Sequence, residues 1–284
     1  MPVSRRQLLA APLLLAGTNP APNDDLAATI ATIEARSGRF GVAARDLASG
    51  WRFAHRGDER FALASTFKLL LAGAILTAVD AGRLRLAQTL HVTASDLVSY
   101  APVTETLVGR RASLATLCDA AVTLSDNAAA NLLLPLVGGP AGLTRWLRRL
   151  GDPVTRLDRF EPALNLVPPG EVRDTTTPDA MLASVIRLRD RLSAASRARL
   201  DAWLIASRTG GRRLRAGLPA TWIVGDKTGT ASGIANDVAI AWRPGVARPL
   251  LIAAYRADGG DGAMADADHT TLARALVASA MNAV

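Results

Sequence analysis

Apolar positions first follow a helical period. From Asp24 to Ser37, two acids open the segment, Leu26, Ile30 and Ile33 recur on one face, and Gly38 stops it, which predicts a helix. Phe40–Leu47 and Trp51–His55 read as two strands around Ala48-Ser49-Gly50, a hairpin. From Ala64 to Ala206 the period is helical again, with breaks at Gly82, Pro102, Gly138–Pro140 and Gly151–Pro153. Inside it, the apolar run Leu69–Val79 is broken by Gly73 and Thr77. A membrane span needs about 20 apolar residues, so this run predicts a buried helix. Asp158 to Pro178 holds four prolines and little periodicity, and a long loop of that kind inside a compact domain is usually functional. Strands return at Trp222–Lys227, Asp237–Trp242 and Leu250–Tyr255, and a last helix spans about Asp268–Met281.

A lone hairpin is marginal, so strands from both ends of the chain must share a sheet. The predicted fold class is α/β (α+β). An antiparallel sheet of about five strands is built from both termini and flanked by terminal helices, with an all-helical lobe inserted. The α/β lobe would take residues 23–60 and 207–284 and the helical lobe 61–206, with the ligand site between them.

Composition narrows the classes. The 284 residues are 49% hydrophobic and 20% charged, enough for a real core and unlike a disordered chain. One cysteine excludes an internal disulfide framework, and with three scattered histidines it argues against a structural zinc site. The charge of +8 is spread, and the clusters Arg145–Arg149 and Arg187–Arg199 lack interleaved aromatics. We read a solvated arginine-rich surface and no nucleic-acid partner.

Residues 1–22 carry Arg5 and Arg6, an apolar stretch Leu8–Ala16 and then small and turn residues, the pattern of a secretory signal peptide. Ser4-Arg5-Arg6-Gln7-Leu8-Leu9 also resembles a twin-arginine signal. A periplasmic location and no membrane anchor in the mature chain 23–284 are the expectations. Cys118, without a partner, is expected to pack in the core.

Only two lysines occur among the 33 basic residues. Lys68 closes Ser65-Thr66-Phe67-Lys68 at the start of the buried helix, and serine and lysine three apart share a helix face. Burial lowers an amine's pKa and makes it a base, a role arginine cannot take. A serine hydroxyl needs such a base to become a nucleophile. Lys227 opens Lys227-Thr228-Gly229-Thr230 on a predicted strand, where a cation, hydroxyls and a small residue can grip a ligand carboxylate. Ser125-Asp126-Asn127 follows the apolar run Leu114–Leu124 and could relay a proton and hold an amide, or simply cap a helix.

The three motifs in this order resemble those of class A serine β-lactamases and penicillin-binding proteins. The resemblance to class A β-lactamases spans nearly all of the mature chain. It implies Ser65 as the acylated nucleophile, Lys68 as the motif lysine, and Ser125 as proton donor to the leaving nitrogen. It implies that Asn127 binds the substrate acylamide. Lys227, Thr228, Gly229 and Thr230 would form the carboxylate site, with the N–H groups of Ser65 and Thr230 as oxyanion hole. Tyr100 matches the aromatic at the cleft mouth. Arg159-Phe160-Glu161-Pro162-Ala163-Leu164-Asn165 resembles the Ω-loop, with Glu161 and Asn165 holding the deacylating water and Arg159–Asp174 closing the loop.

The sequence also departs from the family. Ala235-Asn236-Asp237 stands where several members place a carboxylate-binding arginine, and Arg213 matches the position that supplies a substitute. The disulfides some members form at Ala72–Cys118 and Ala64–Ala231 are missing, and Thr230–Asn236 is short, so substrate range stays open.

Hydrolysis of penicillin- or cephalosporin-type antibiotics by a monomeric, cofactor-free enzyme is expected, and resistance with it. A D,D-peptidase and a non-catalytic β-lactam sensor are the alternatives. Glu161 with Asn165 argues against the first, and the lack of a spanning segment against the second. None of His55, His91 or His269 sits in a Ser-His-Asp hydrolase motif.

Overall fold

The structure is a computed structural model that describes residues 22–260 and 262–282. The export segment read over residues 1–22 lies, apart from Pro22, outside the described residues. Helix α1 (Pro22–Ser37) leads into the hairpin β1 (Arg39–Asp46) and β2 (Arg52–His55), and β3 (Phe61–Ala62) follows. The inserted region holds α2 (Phe67–Asp80), β4 (Thr89–His91), β5 (Arg111–Ser113), α3 (Leu114–Thr123), α4 (Asn127–Leu133) and α5 (Gly139–Leu150). After β6 (Thr175–Thr176) come α6 (Pro178–Arg191), α7 (Ala194–Ile205) and the single turn α8 (Leu214–Gly217). Strands β7 (Ile223–Ala231), β8 (Ile234–Trp242) and β9 (Leu250–Ala257) precede the last helix, α9 (Gly262–Asn282).

The main sheet runs β2-β1-β9-β8-β7, antiparallel throughout. β1 pairs with β9 along its whole length, from Arg39↔Ala257 to Asp46↔Leu250, so both ends of the chain build one sheet. Strand alternation sorts its side chains onto two faces. Phe40, Val42, Ala44, Ile252 and Ala254 pack with Leu26, Ile30 and Ile33 of α1 and Leu272 and Leu276 of α9. Ala43, Val238, Ile240, Leu251 and Ala253 pack instead into the larger core of the inserted helices. The face predicted for α1 is thus the buried one, and α2 is buried along nearly its whole length.

Two details differ from the sequence reading. The inserted region is not purely helical: β3 pairs with β6 and β4 with β5. Strands of two or three residues are too short for alternation to register. β7 and β8 also run further than expected, meeting at Ser232-Gly233, where Gly233 takes a positive φ of 70°. Thr228, Thr230 and Asn236, which fell beyond the bounds read for these strands, and Asp237, read as a strand start, all lie inside them. No helix among the described residues is long and apolar enough to cross a membrane.

Candidate active site

Ser65 lies in a 3₁₀ turn (Ala64–Thr66) that runs directly into α2. Lys68 is therefore one turn on, on the same face, and its Nζ donates to Ser65 Oγ at 3.0 Å. Lys68 is fully buried and meets acceptors on every side: Ser125 O at 2.8 Å, Asn127 Oδ1 at 2.5 Å and Glu161 Oε1 at 3.1 Å. Burial lowers its pKa, and the Glu161 carboxylate works against that shift. Ser65 Oγ also lies 3.4 Å from Glu161 Oε1, so two bases face the hydroxyl, Lys68 on the shorter contact.

Ser125-Asp126-Asn127 is both helix cap and site. Asp126 is the N-cap of α4, accepting from Ala129 N at 2.8 Å. It also accepts from Val103 N, Thr104 N and Thr104 Oγ1, which pins the loop after Tyr100. The residues on either side turn into the cleft. Ser125, held at φ 61°, accepts from Lys227 Nζ at 3.1 Å, and Asn127 Nδ2 donates to Ser99 O at 2.8 Å. Asn127 N donates to Tyr100 O, and Tyr100 stands 60% exposed at the mouth.

Lys227, Thr228, Gly229 and Thr230 lie on β7, the edge of the sheet. Gly229 is required by close approach: a Cβ there would stand 2.9 Å from Leu63 O and 3.2 Å from Ala64 Cβ, against the turn that carries Ser65. Asn236 on β8 reinforces this seam, its Nδ2 donating to Ala62 O at 2.8 Å. Lys227 is fully buried, and burial together with the Lys68 charge pushes its pKa down to about 7. Arg213 donates to Thr230 Oγ1 at 2.9 Å and to the carbonyls of Gly229 and Asn236, with Asp266 at 2.9 Å behind its Nε. It lies beside Asn236 of β8, whose segment Ala235-Asn236-Asp237 carries no arginine.

The Pro-rich stretch is ordered from within. Asp174 accepts from Asp158 N and Arg159 N and pairs with Arg159 Nε, closing the loop at its base. The β3–β6 pair fixes the same base three residues before Ser65. Asn131 of α4 grips the Glu161 backbone on both sides, donating to its carbonyl at 2.9 Å and accepting from its N–H at 3.0 Å. Asn165, in a short 3₁₀ turn, donates to Glu161 Oε2 at 2.7 Å, while Oε1 faces Lys68 and Ser65.

A cleft of about 280 Å³ opens over these groups, lined by Ser65, Tyr100, Ser125, Asn127, Asn165, Thr209, Thr228 and Thr230. Lys68, Glu161 and Lys227 lie buried behind it. All twelve residues singled out from the sequence thus sit in or beside one cleft. Thr209, Asn131 and Asn236 were not among them; each is a single polar residue outside any motif, whose partner is distant in sequence. A larger cavity of about 440 Å³ beneath the Pro-rich loop, lined by Arg39, Arg60, Val172 and Ile234 among others, touches none of the three motifs. Cys118 is in the core, its thiol pushed up to about 12 by burial. The arginines are less uniformly solvated than composition suggested: Arg256 is 2% exposed, and Arg189 is buried against Asp201 and Trp242.

Known proteins resemble this chain in sequence and in backbone. A sequence model of the beta-lactamase enzyme family matches residues 24–282. β-Lactamase AST-1 of Nocardia asteroides is 48% identical over 270 residues, 88% of this chain and 87% of that protein. β-Lactamase FAR-1 of Nocardia farcinica is 49% identical over 254 residues, 87% of this chain and 80% of that protein. A solved β-lactamase from Xanthomonas campestris superposes with a TM-score of 0.88 at 50% identity, covering 90% of this chain and 97% of its own. An ancestral class A β-lactamase does so with a TM-score of 0.86 at 52% identity, covering 89% and 98%. A match over that span, in sequence and in backbone, means that the chain belongs to the beta-lactamase enzyme family, on its class A branch.

Proposed function

We propose that the protein hydrolyses the amide bond of β-lactam antibiotics through an acyl-enzyme on Ser65. The observation that carries this reading is the contact set of Glu161: one oxygen on Lys68 and Ser65, the other on Asn165. An acyl-serine ester is long-lived unless a base activates water beside it, and a carboxylate held there by a neighbouring amide meets that need. The Ser65 hydroxyl attacks the β-lactam carbonyl while its proton passes to a facing base. Lys68 can accept it only when neutral, the form its burial favours. The tetrahedral oxygen is received by the N–H groups of Ser65 and Thr230. Ser125, which contacts both lysines, passes a proton to the departing nitrogen. Glu161 and Asn165 then hold the water that cleaves the ester, returning Ser65.

Substrate is held by the rest of the cleft. Asn127 takes the acylamide, and Lys227, Thr228, Thr230 and Arg213 take the carboxylate, with Gly229 allowing the strand to approach. Tyr100 covers the mouth. The D,D-peptidase and sensor readings lack a use for the Glu161–Asn165 pair. We further propose a monomeric periplasmic enzyme, exported by the segment 1–22, with an α/β lobe (23–60 and 207–284) and a helical lobe (61–206). Ser65→Ala tests the core of the reading. It should abolish both turnover and any covalent penicillin adduct, and an adduct elsewhere on the chain would overturn the assignment.

A further inference from the structure

We infer that Thr209 is a positioning residue for the substrate carboxylate, acting through the hydroxyl of Thr228; this rests on the carboxylate-site reading of Lys227, Thr228 and Arg213. Thr209 lines the cleft but belongs to none of the three motifs. It lies in the segment between α7 and α8, and Thr228 Oγ1 donates to its Oγ1 at 2.6 Å, a short contact. The chain of hydroxyls continues at longer distances, 3.4 Å to Ser207 Oγ and from there 3.3 Å to Asp226 Oδ2.

The place of Thr209 is dictated by the sheet. Gly210 lies directly on Asp226, since a Cβ there would fall 1.6 Å from Oδ2. Arg215 donates to Asp226 Oδ1 at 2.8 Å through Nε and holds that carboxylate from its other side. Asp226 and Thr228 are two residues apart on β7, so their side chains emerge on the same side of the strand. The segment 207–210 is therefore anchored at Asp226 and presents Thr209 to Thr228.

A hydroxyl has one hydrogen to give. In the structure Thr228 gives it to Thr209. A carboxylate only accepts, so an arriving substrate requires that hydrogen. Thr228, 4% exposed, then turns a lone pair toward its neighbour. Thr209, whose own hydrogen faces Ser207 Oγ, can rotate it to that lone pair and donate. Valine has the same shape and can do neither, leaving the Thr228 oxygen half-satisfied in the bound state. Thr209 thus allows Thr228 to switch from internal donor to substrate donor without losing a bond.

The test is steady-state kinetics with a carboxylate-bearing penicillin on the full mature enzyme. Thr209→Val should raise KM about tenfold while kcat changes by less than about twofold, the size expected when one buried hydroxyl is left short of a partner in the bound state. Thr209→Ser, which keeps the hydroxyl, should stay near the parent, and Thr209→Ala should behave as valine does, which separates the hydroxyl from packing. In a Thr228→Val background, Thr209→Val should add almost nothing, because the two act as one unit. The inference is overturned if Thr209→Val leaves KM unchanged while Thr228→Val raises it, or if the two effects add in full. Should Thr228→Val itself leave KM unchanged, the carboxylate-site reading falls, and the inference with it.

Discussion

Lys68 and Lys227, the two lysines of an arginine-rich chain, share one hydroxyl, that of Ser125, at 3.5 and 3.1 Å. One comes from the first turn of α2 and the other from the edge strand β7. Both are buried, which pushes both toward the neutral form, and the Lys68 charge pushes Lys227 further the same way. Arginine at either place would remain charged and could not accept a proton.

A pH dependence follows from Lys227. Its pKa in the free enzyme is about 7, so its cation is present below that value and lost as pH rises through it. Values of kcat/KM for a carboxylate-bearing penicillin should therefore fall on the alkaline side with a midpoint near 7. The bound carboxylate favours the ammonium, so the limb in kcat should lie higher. A kcat/KM profile flat from about pH 6 to about pH 9 would show that Lys227 keeps its proton or does not bind the carboxylate.

Glu161→Gln should separate the two halves of the reaction. The amide keeps the shape of the side chain and its contact with Asn165 but cannot take a proton from water. Deacylation should slow by about 10²–10⁴-fold, with the acyl adduct accumulating on Ser65. Mass spectrometry during turnover reads this directly. A variant with parent kcat and no adduct would assign the water-activating role elsewhere.

The Pro-rich loop should depend on Asp174, whose buried carboxylate meets two backbone N–H groups and Arg159. Removing it in Asp174→Ala leaves these donors unmet and should cost about 3 kcal/mol of stability. Because Glu161 and Asn165 ride on this loop, deacylation should fall more than acylation. Thermal melting and single-turnover kinetics give the two readouts. A fall in Tm with both steps unchanged would mean that the loop base does not position Glu161.

Acid stability should respond to His269. This buried imidazole packs at a tilt against Phe40, ring centres 5.0 Å apart, and burial, then the Arg213 charge, pushes its pKa from 6.5 to about 4. Between those values the unfolded chain binds a proton that the folded one does not, so stability falls as pH drops from 6.5 to about 4. The contribution is on the order of 3 kcal/mol across that window. Denaturation of His269→Phe at several pH values should show a flatter acid limb, and an unchanged limb would exclude this source.

Much of the site was legible because its chemistry restricts residue types at short fixed spacings. Ser65 and Lys68 meet because they are one helical turn apart, and Glu161 and Asn165 because a 3₁₀ turn joins them. The five-stranded sheet was legible because β1, β8 and β9 are apolar and alternate onto two cores. Asn131, Asn236 and Thr209 were not. Each is one polar residue whose partner lies 30, 174 and 19 positions away, and no local pattern marks such a pair. The minor strand pairs escaped because two or three residues show no period. The buried arginines Arg189 and Arg256 escaped because composition does not say which guanidinium meets a carbonyl or carboxylate: Arg189 pairs with Asp201, and Arg256 donates to Ser37 O at 2.8 Å.

The most direct test of the account is multiple-turnover hydrolysis of a chromogenic cephalosporin by the mature protein, followed by mass spectrometry of the same mixture. The account predicts steady turnover over many equivalents, with little adduct trapped on Ser65. One equivalent of product and a persistent adduct on Ser65 would contradict it, leaving Glu161 without a deacylating role and the chain as a penicillin-binding peptidase or a sensor.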